Sequence, residues 1–127
     1  NEFKELSEKI GISLGEEINQ MYLKFNEAEK LSIDQISNAY DDIGKKLGGN
    51  FKSKLGSDKI SVEILKQPFE QSNLKAMNRL LSAVFAKIAA LNLGYARAIV
   101  AEEKDKNVSI GIYLKRDESV LAKIGGV

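Results

Sequence analysis

Four pairs of neighbouring carboxylates, Glu16-Glu17, Asp41-Asp42, Glu102-Glu103 and Asp117-Glu118, are where acid–base chemistry would have to start in this chain. Two carboxyls can share general acid and general base work when they face each other across a site. Adjacent residues of a helix or strand point in different directions, so no pair makes such a site by itself and each reads as solvated surface. The 127 residues include no Cys and no His. Those absences remove thiolate and imidazole metal ligands, Ser-His-Asp and Cys-His nucleophile systems and a histidine general base. Carboxylate oxygen is the remaining metal donor, and no acidic run has the spacing of a calcium loop. Gly48-Gly49-Asn50 lacks the Lys-Ser/Thr pair and the preceding strand of a phosphate loop. No enzymatic activity, metal or cofactor is expected.

The polar residues of most interest are Arg79, Ser82 and Lys87, because they interrupt an otherwise apolar helix. From Asn73 to Leu93, Leu74, Met77, Leu81, Val84, Phe85, Ile88 and Leu91 recur at steps of three and four among strong helix formers. Between Leu80 and Leu91 only Ser82 and Lys87 are polar, so this helix needs cover on several sides. A buried cation needs an anionic partner, from the protein or from a ligand, unless its methylenes carry the charge to the surface. The segment is too short and too often charged to span a bilayer, and no signal peptide opens the chain, so a cytoplasmic location is the default. Because the chain begins at Asn1 instead of Met, a fragment of a longer protein is expected.

The elements around this helix follow from period and punctuation. Phe3, Leu6, Ile10, Leu14, Ile18, Met21, Tyr22 and Phe25 define a long amphipathic helix, in which Gly11 and Gly15 share one face. Leu31-Ser32-Ile33-Asp34-Gln35-Ile36 has the form of a capping box with a hydrophobic staple. Ile33, Ile36, Tyr40, Ile43 and Leu47 continue that second helix towards Gly48-Gly49. Phe51 and Leu55 keep the helical step and predict a further turn. Ile10-Gly11-x-x-Leu14-Gly15-x-x-Ile18 is echoed 33 positions later by Ile43-Gly44-x-x-Leu47-Gly48-x-x-Phe51. The echo predicts two glycine-notched helices crossing closely, the alternative being a coincidence of spacing.

Ile60, Val62 and Ile64 alternate with Ser61 and Glu63 as in a half-buried strand that ends before Pro68. A second strand is expected over Tyr95 to Glu103, and a hairpin turning at Asp105-Lys106-Asn107 leads into Val108 to Leu114. Residues 116–127 form either a short helix capped by Asp117 or a frayed tail. The result is one α+β domain over residues 1–127, of order α-α-β-α-β-β. Its helices pack on a small mixed or antiparallel three-stranded sheet.

Charge adds little. Residues 1–58 carry 8 basic and 11 acidic side chains and residues 59–127 carry 11 and 7. This asymmetry reads as solvated surface, since a nucleic-acid footprint shows a basic cluster on one face. No nucleic-acid partner is expected.

The glycine-notched first helix with Glu16-Glu17, the strand Ile60-Ser61-Val62-Glu63-Ile64 leading into Pro68-Phe69, the helix ending at Leu93-Gly94, and the strand pair carrying Glu102-Glu103 and Val108 to Leu114 together resemble the 4-vinyl reductase domain. That family is related in fold to TRAPP-type trafficking-complex subunits. The family's usual cysteines are replaced here by residues such as Gln67, Ser72 or Asn73, and Ser109. The resemblance therefore implies a sensory or regulatory module that binds a small hydrophobe and acts through a dimer, without metal or thiol chemistry. Candidate liners of an apolar pocket beside the central helix are Leu14, Ile18, Tyr22, Met77, Leu81, Phe85 and Tyr113, with Arg79, Ser82 and Lys87 as polar points of a pocket or interface. The alternative is a homodimerisation module without ligand, in which a second subunit covers the apolar helix.

Overall fold

A computed structural model describes residues 2–70, 72, 74–102 and 108–116. Three helices, α1 (Glu2–Phe25), α2 (Ile33–Lys46) and α3 (Leu74–Leu93), accompany four strands, β1 (Asn50–Gly56), β2 (Lys59–Lys66), β3 (Arg97–Glu102) and β4 (Val108–Tyr113). The architecture is α+β. The sheet has four strands, not three, in the order β1-β2-β4-β3, and every neighbouring pair is antiparallel.

The extra strand is the stretch where Phe51 and Leu55 predict a helical turn. A spacing of four satisfies both a helix and a strand, so the pair alone cannot choose between them. The glycines choose. Gly48, at φ +90°, takes the left-handed conformation, and the Gly48 and Gly49 amides donate to the carbonyls of Lys45 and Gly44. These two bonds close α2 in a Schellman motif and send the chain out extended. β1 then pairs with β2, matching Phe51 to Ile64, Ser53 to Val62 and Leu55 to Ile60.

β2 and β3 both run antiparallel to β4, so they are parallel to each other with β4 between them. The connection through α3 is thus a split strand-helix-strand unit. This explains how a parallel crossover coexists with a wholly antiparallel sheet. The inner face carries Phe51, Ile60, Val62, Ile64, Val108, Ile110 and Ile112, all buried. Leu81, Val84, Phe85, Ile88 and Ala89 of α3 and Ile36, Ala39, Tyr40 and Ile43 of α2 complete the core. Tyr40 stacks on Phe85 with ring centroids 4.1 Å apart, and Phe51 meets Phe85 edge-on at 6.2 Å. The Tyr40 hydroxyl donates to the Phe85 carbonyl at 2.6 Å, which satisfies a phenol that burial holds well above its ordinary pKa.

Ser32 caps α2 as its sequence signature predicts. Its hydroxyl accepts the Gln35 amide at 3.2 Å, and the Gln35 side chain accepts the Ser32 amide at 2.9 Å. The glycine echo has a different meaning from the predicted crossing of the two helices. Gly11 and Gly15 receive α3: a Cβ at Gly11 would stand 2.7 Å from the Leu80 carbonyl oxygen, and one at Gly15 would stand 2.8 Å from Lys87 Cβ. Gly44 instead makes room for the ring of Phe51, which follows it in sequence. Gly11 lies against Leu80, Gly15 against Val84 and Asn19 against Asn92, so α1 and α3 run parallel along the buried row Ser7, Gly11, Gly15 and Asn19. The tail predicted to be a short helix or frayed lies outside the described residues.

Candidate functional site

The predicted pocket residues do not converge on one cavity. Leu81 and Phe85 are core residues, Phe85 being sealed between Tyr40 and Phe51. Ile18 packs on that core from α1, Met77 is half-buried near the start of α3, and Leu14 is exposed. Tyr113 follows Ile112 by one residue and so points to the opposite face of the sheet from Phe85. Only Tyr22 of the seven lines a concave site described below.

The three polar points resolve individually. Arg79 is exposed. The Ser82 hydroxyl donates to the Arg79 carbonyl at 2.8 Å, a local helix bond. Lys87 finds its anion within the protein: its ammonium lies 3.4 Å from Glu16 of α1, so this ion pair spans the α1–α3 seam beside Gly15.

A groove of about 430 Å³ lies between the C-terminal turns of α1 and the outward side of α2. Met21, Tyr22 and Phe25 form one wall and Ala39 with Asn38 and Gln35 the other, while Asp42 and Lys46 stand at its polar end. The Tyr22 hydroxyl donates to Asp42 Oδ2 at 2.6 Å, and Lys46 Nζ reaches the same oxygen at 2.9 Å. The Lys46 ammonium also lies 5.4 Å from the Tyr22 ring centroid. The Tyr22 hydrogen bond, followed by that of Lys46, holds the Asp42 carboxyl below the usual carboxylate range. Burial, reinforced by Asp42, pushes the Tyr22 phenol well above its ordinary value. At neutral pH the cluster is therefore a carboxylate, a neutral phenol and an ammonium. The Asp42 carboxyl, shifted down, and the Tyr22 phenol, shifted up, both move away from neutrality, so their hydrogen bond persists across the neutral range.

A second hollow, about 490 Å³, opens between α1, the segment before α2 and the end of α3. It is lined by polar groups, including Glu16, Glu17, Gln20, Glu29 and Lys30 around Leu23 and Leu91. Its floor is a pair of buried asparagines. Asn92 accepts the Leu31 amide at 2.8 Å and donates to Asn19 at 2.7 Å, joining α1 and α3 to the segment that leads into α2. Sequence reasoning passed over both asparagines, because a polar residue in a helix is usually a surface residue.

Among the described residues no group of three or more carboxylates could hold a metal ion, and no helix is long and apolar enough to cross a membrane. Neither a scan of protein-family models nor a search of curated proteins gives a match to this chain.

Proposed function

We propose that this chain is a non-enzymatic regulatory module that binds a small amphipathic molecule in the α1–α2 groove and associates with a second copy through α1. One observation carries the reading. Met21 and Phe25, 61% and 83% exposed, form a wall of the groove and also end a stripe of exposed apolar residues that begins with Leu6, Ile10 and Leu14. These five positions fall within about 100° of helix circumference, at 3.6 residues per turn. They lie beside the buried row that packs on α3 and are not shared with it.

The groove has the size and character of a small-molecule site, with apolar walls and a few polar groups at one end. The Asp42–Lys46 pair offers both an acceptor and a donor to the head of a molecule whose body lies against Met21, Phe25 and Ala39. On this reading the hydrophobe lies between α1 and α2 instead of beside Phe85. The resemblance to vinyl reductase-like sensory domains supports the same class of function.

The stripe spans about 28 Å from Leu6 to Phe25 at 1.5 Å per residue, and at a helix width of roughly 10 Å it offers about 280 Å². A stable dimer buries about 800 Å² per partner. The stripe therefore suffices alone only for a weak dimer, and the neighbouring groove wall must join the contact to strengthen it. A molecule in the groove would then alter association, because Met21 and Phe25 belong to both surfaces.

Sedimentation velocity with and without a medium-chain alkylamine, together with anilinonaphthalene sulfonate fluorescence, tests this. Ile10→Glu should yield a monomer, and Asn38→Trp, at an exposed position of the groove wall, should block the probe while leaving the fold intact. A wild-type chain that stays monomeric at high micromolar concentration, with probe fluorescence indifferent to Asn38→Trp, would overturn the proposal.

A further inference from the structure

Among the described residues no helix lies on the second face of the sheet. Strand alternation turns Lys52 and Lys54 of β1, Lys59, Ser61 and Glu63 of β2, Ser109, Gly111 and Tyr113 of β4, and Arg97, Ile99 and Ala101 of β3 away from the core, and among the described residues nothing packs over them. Scattered along the sequence, these cations look like ordinary surface. The register gathers them: Lys59, Tyr113 and Arg97 form one row across three strands, and Lys54, Ser61, Gly111 and Ile99 form the next. Among the described residues of the strands, four cations share the face with a single carboxylate, Glu63, which lies opposite Lys52. This is the one-sided basic cluster that the linear sequence does not display.

We propose that this open sheet face binds single-stranded nucleic acid. Positive charge alone would suit any polyanion, and the middle of the face narrows the choice. Small residues share these rows with the charges, Ser61 and Gly111 beside Lys54 and Ser109 and Ala101 beside Glu63, and leave a low platform next to them. A Cβ at Gly111 would stand 3.1 Å from Lys59 Cε and 3.2 Å from Tyr113 Cε2, so its absence lets both side chains lie over the strand. The Lys59 ammonium then rides 4.8 Å from the Tyr113 ring centroid. An aromatic ring beside cations on an exposed four-stranded sheet supplies what unstacked bases need: a surface to stack on and charges for the adjoining phosphates. The outer strands are about 14 Å apart at roughly 4.8 Å per strand, which accommodates two or three nucleotides rather than the curved surface of a duplex. A lipid surface is the poorer match, because Leu65 and Ile99 are the only large exposed aliphatic residues among the described outer-face positions of the sheet.

The full chain would be titrated against fluorescein-labelled oligo-uridine and oligo-thymidine at low salt, with a duplex of equal length and anionic phosphatidylglycerol vesicles in parallel. Anisotropy should rise with the single strands, with either sugar or both, and more weakly with the duplex. The logarithm of the binding constant should fall with that of salt at a slope near −2, the value for about three phosphate contacts on a single strand. Lys54→Glu with Arg97→Glu should weaken binding at least tenfold and flatten the slope. Tyr113→Leu should weaken it about tenfold at unchanged slope, and Tyr113→Phe should restore it. These side chains lie outside the core, and a thermal melt of each variant checks that folding is retained. The inference falls if no single strand binds at low salt, if duplex or vesicles bind better, or if Tyr113→Leu binds as the wild type does.

Discussion

Asn92→Leu keeps the number of side-chain heavy atoms and removes the polar joint between α1, α3 and the segment leading into α2. The Leu31 amide, on a residue only 2% exposed, loses its acceptor, and Asn19, 3% exposed, loses the donor to its side-chain carbonyl. Each buried orphan costs about 1–3 kcal/mol. The hollow beside Asn19 admits water, which reduces the second cost, and the new leucine recovers about 0.8 kcal/mol for each added buried methylene equivalent. The net loss is about 2–3 kcal/mol. An unfolding entropy of about 2.1 cal/mol/K per residue gives roughly 0.27 kcal/mol/K for a chain of this length, so the melting temperature should fall by about 8–11 °C. Urea unfolding followed by circular dichroism gives the free energy directly, and Asn19→Leu closes a double-mutant cycle. Asn19→Leu should cost clearly less in the Asn92→Leu background than in the wild type. A loss below about 1 kcal/mol for Asn92→Leu, or strict additivity with Asn19→Leu, would show that the joint is not what ties the helices together.

Two further outcomes follow from the same seam and from the groove. Gly11→Ala places a Cβ 2.6 Å from Ala83 Cβ and 2.7 Å from a backbone oxygen, whereas Gly15→Ala meets Lys87 Cβ at 2.8 Å and the nearest backbone oxygen at 3.1 Å. Both gain about 1 kcal/mol of helix propensity against about 1–3 kcal/mol of overpacking, so in urea unfolding Gly11→Ala should be the more destabilising, by about 1 kcal/mol. The reverse order would contradict the seam geometry. In the groove, the Asp42 carboxyl is depressed, so its contribution to stability is complete above the unfolded aspartate value of about 4 and is lost as pH falls through the lower folded value. The stability difference between wild type and Tyr22→Phe should accordingly be largest above pH ~4 and shrink in more acidic solution. A difference that does not vary with pH would separate Tyr22 from the Asp42 charge.

The sequence was most informative where one residue type has one local consequence. Ser32 and Gln35 announce a helix start through bonds three residues apart, and Ile60, Val62 and Ile64 announce a strand through parity. Parity also separates Tyr113 from Ile112, and it would have kept Tyr113 out of any cavity containing Phe85. β1 was hidden because Phe51 and Leu55 fit two periods. The α1 glycines were correctly legible as a notch, but their partner was not, since nothing local distinguishes α3 from α2 as the helix they receive. The groove is the harder case. Asp42 and Lys46 are visible as a helical pair four residues apart, but Tyr22 joins them only through the packing of α1 beside α2. The Asn19–Asn92 bond closes over 73 positions, so no local pattern carries it.

The placement of β4 between β2 and β3 has a consequence for the birth of the protein on the ribosome. β1 and β2 are adjacent in the chain and can pair as soon as both have emerged. β3 has no such option: the strand it must join, residues 108–113, is synthesised after it, and that same strand is the only link between β3 and the rest of the sheet. The nascent chain therefore carries α3 with one flank of its apolar surface uncovered until the last described strand arrives, an interval in which chaperones have something to hold. A stop codon after Glu102 and before Val108 would remove more than an edge. It would leave the β1–β2 hairpin and β3 as two separate pieces with no shared hydrogen bonds, and the inner apolar face without its middle.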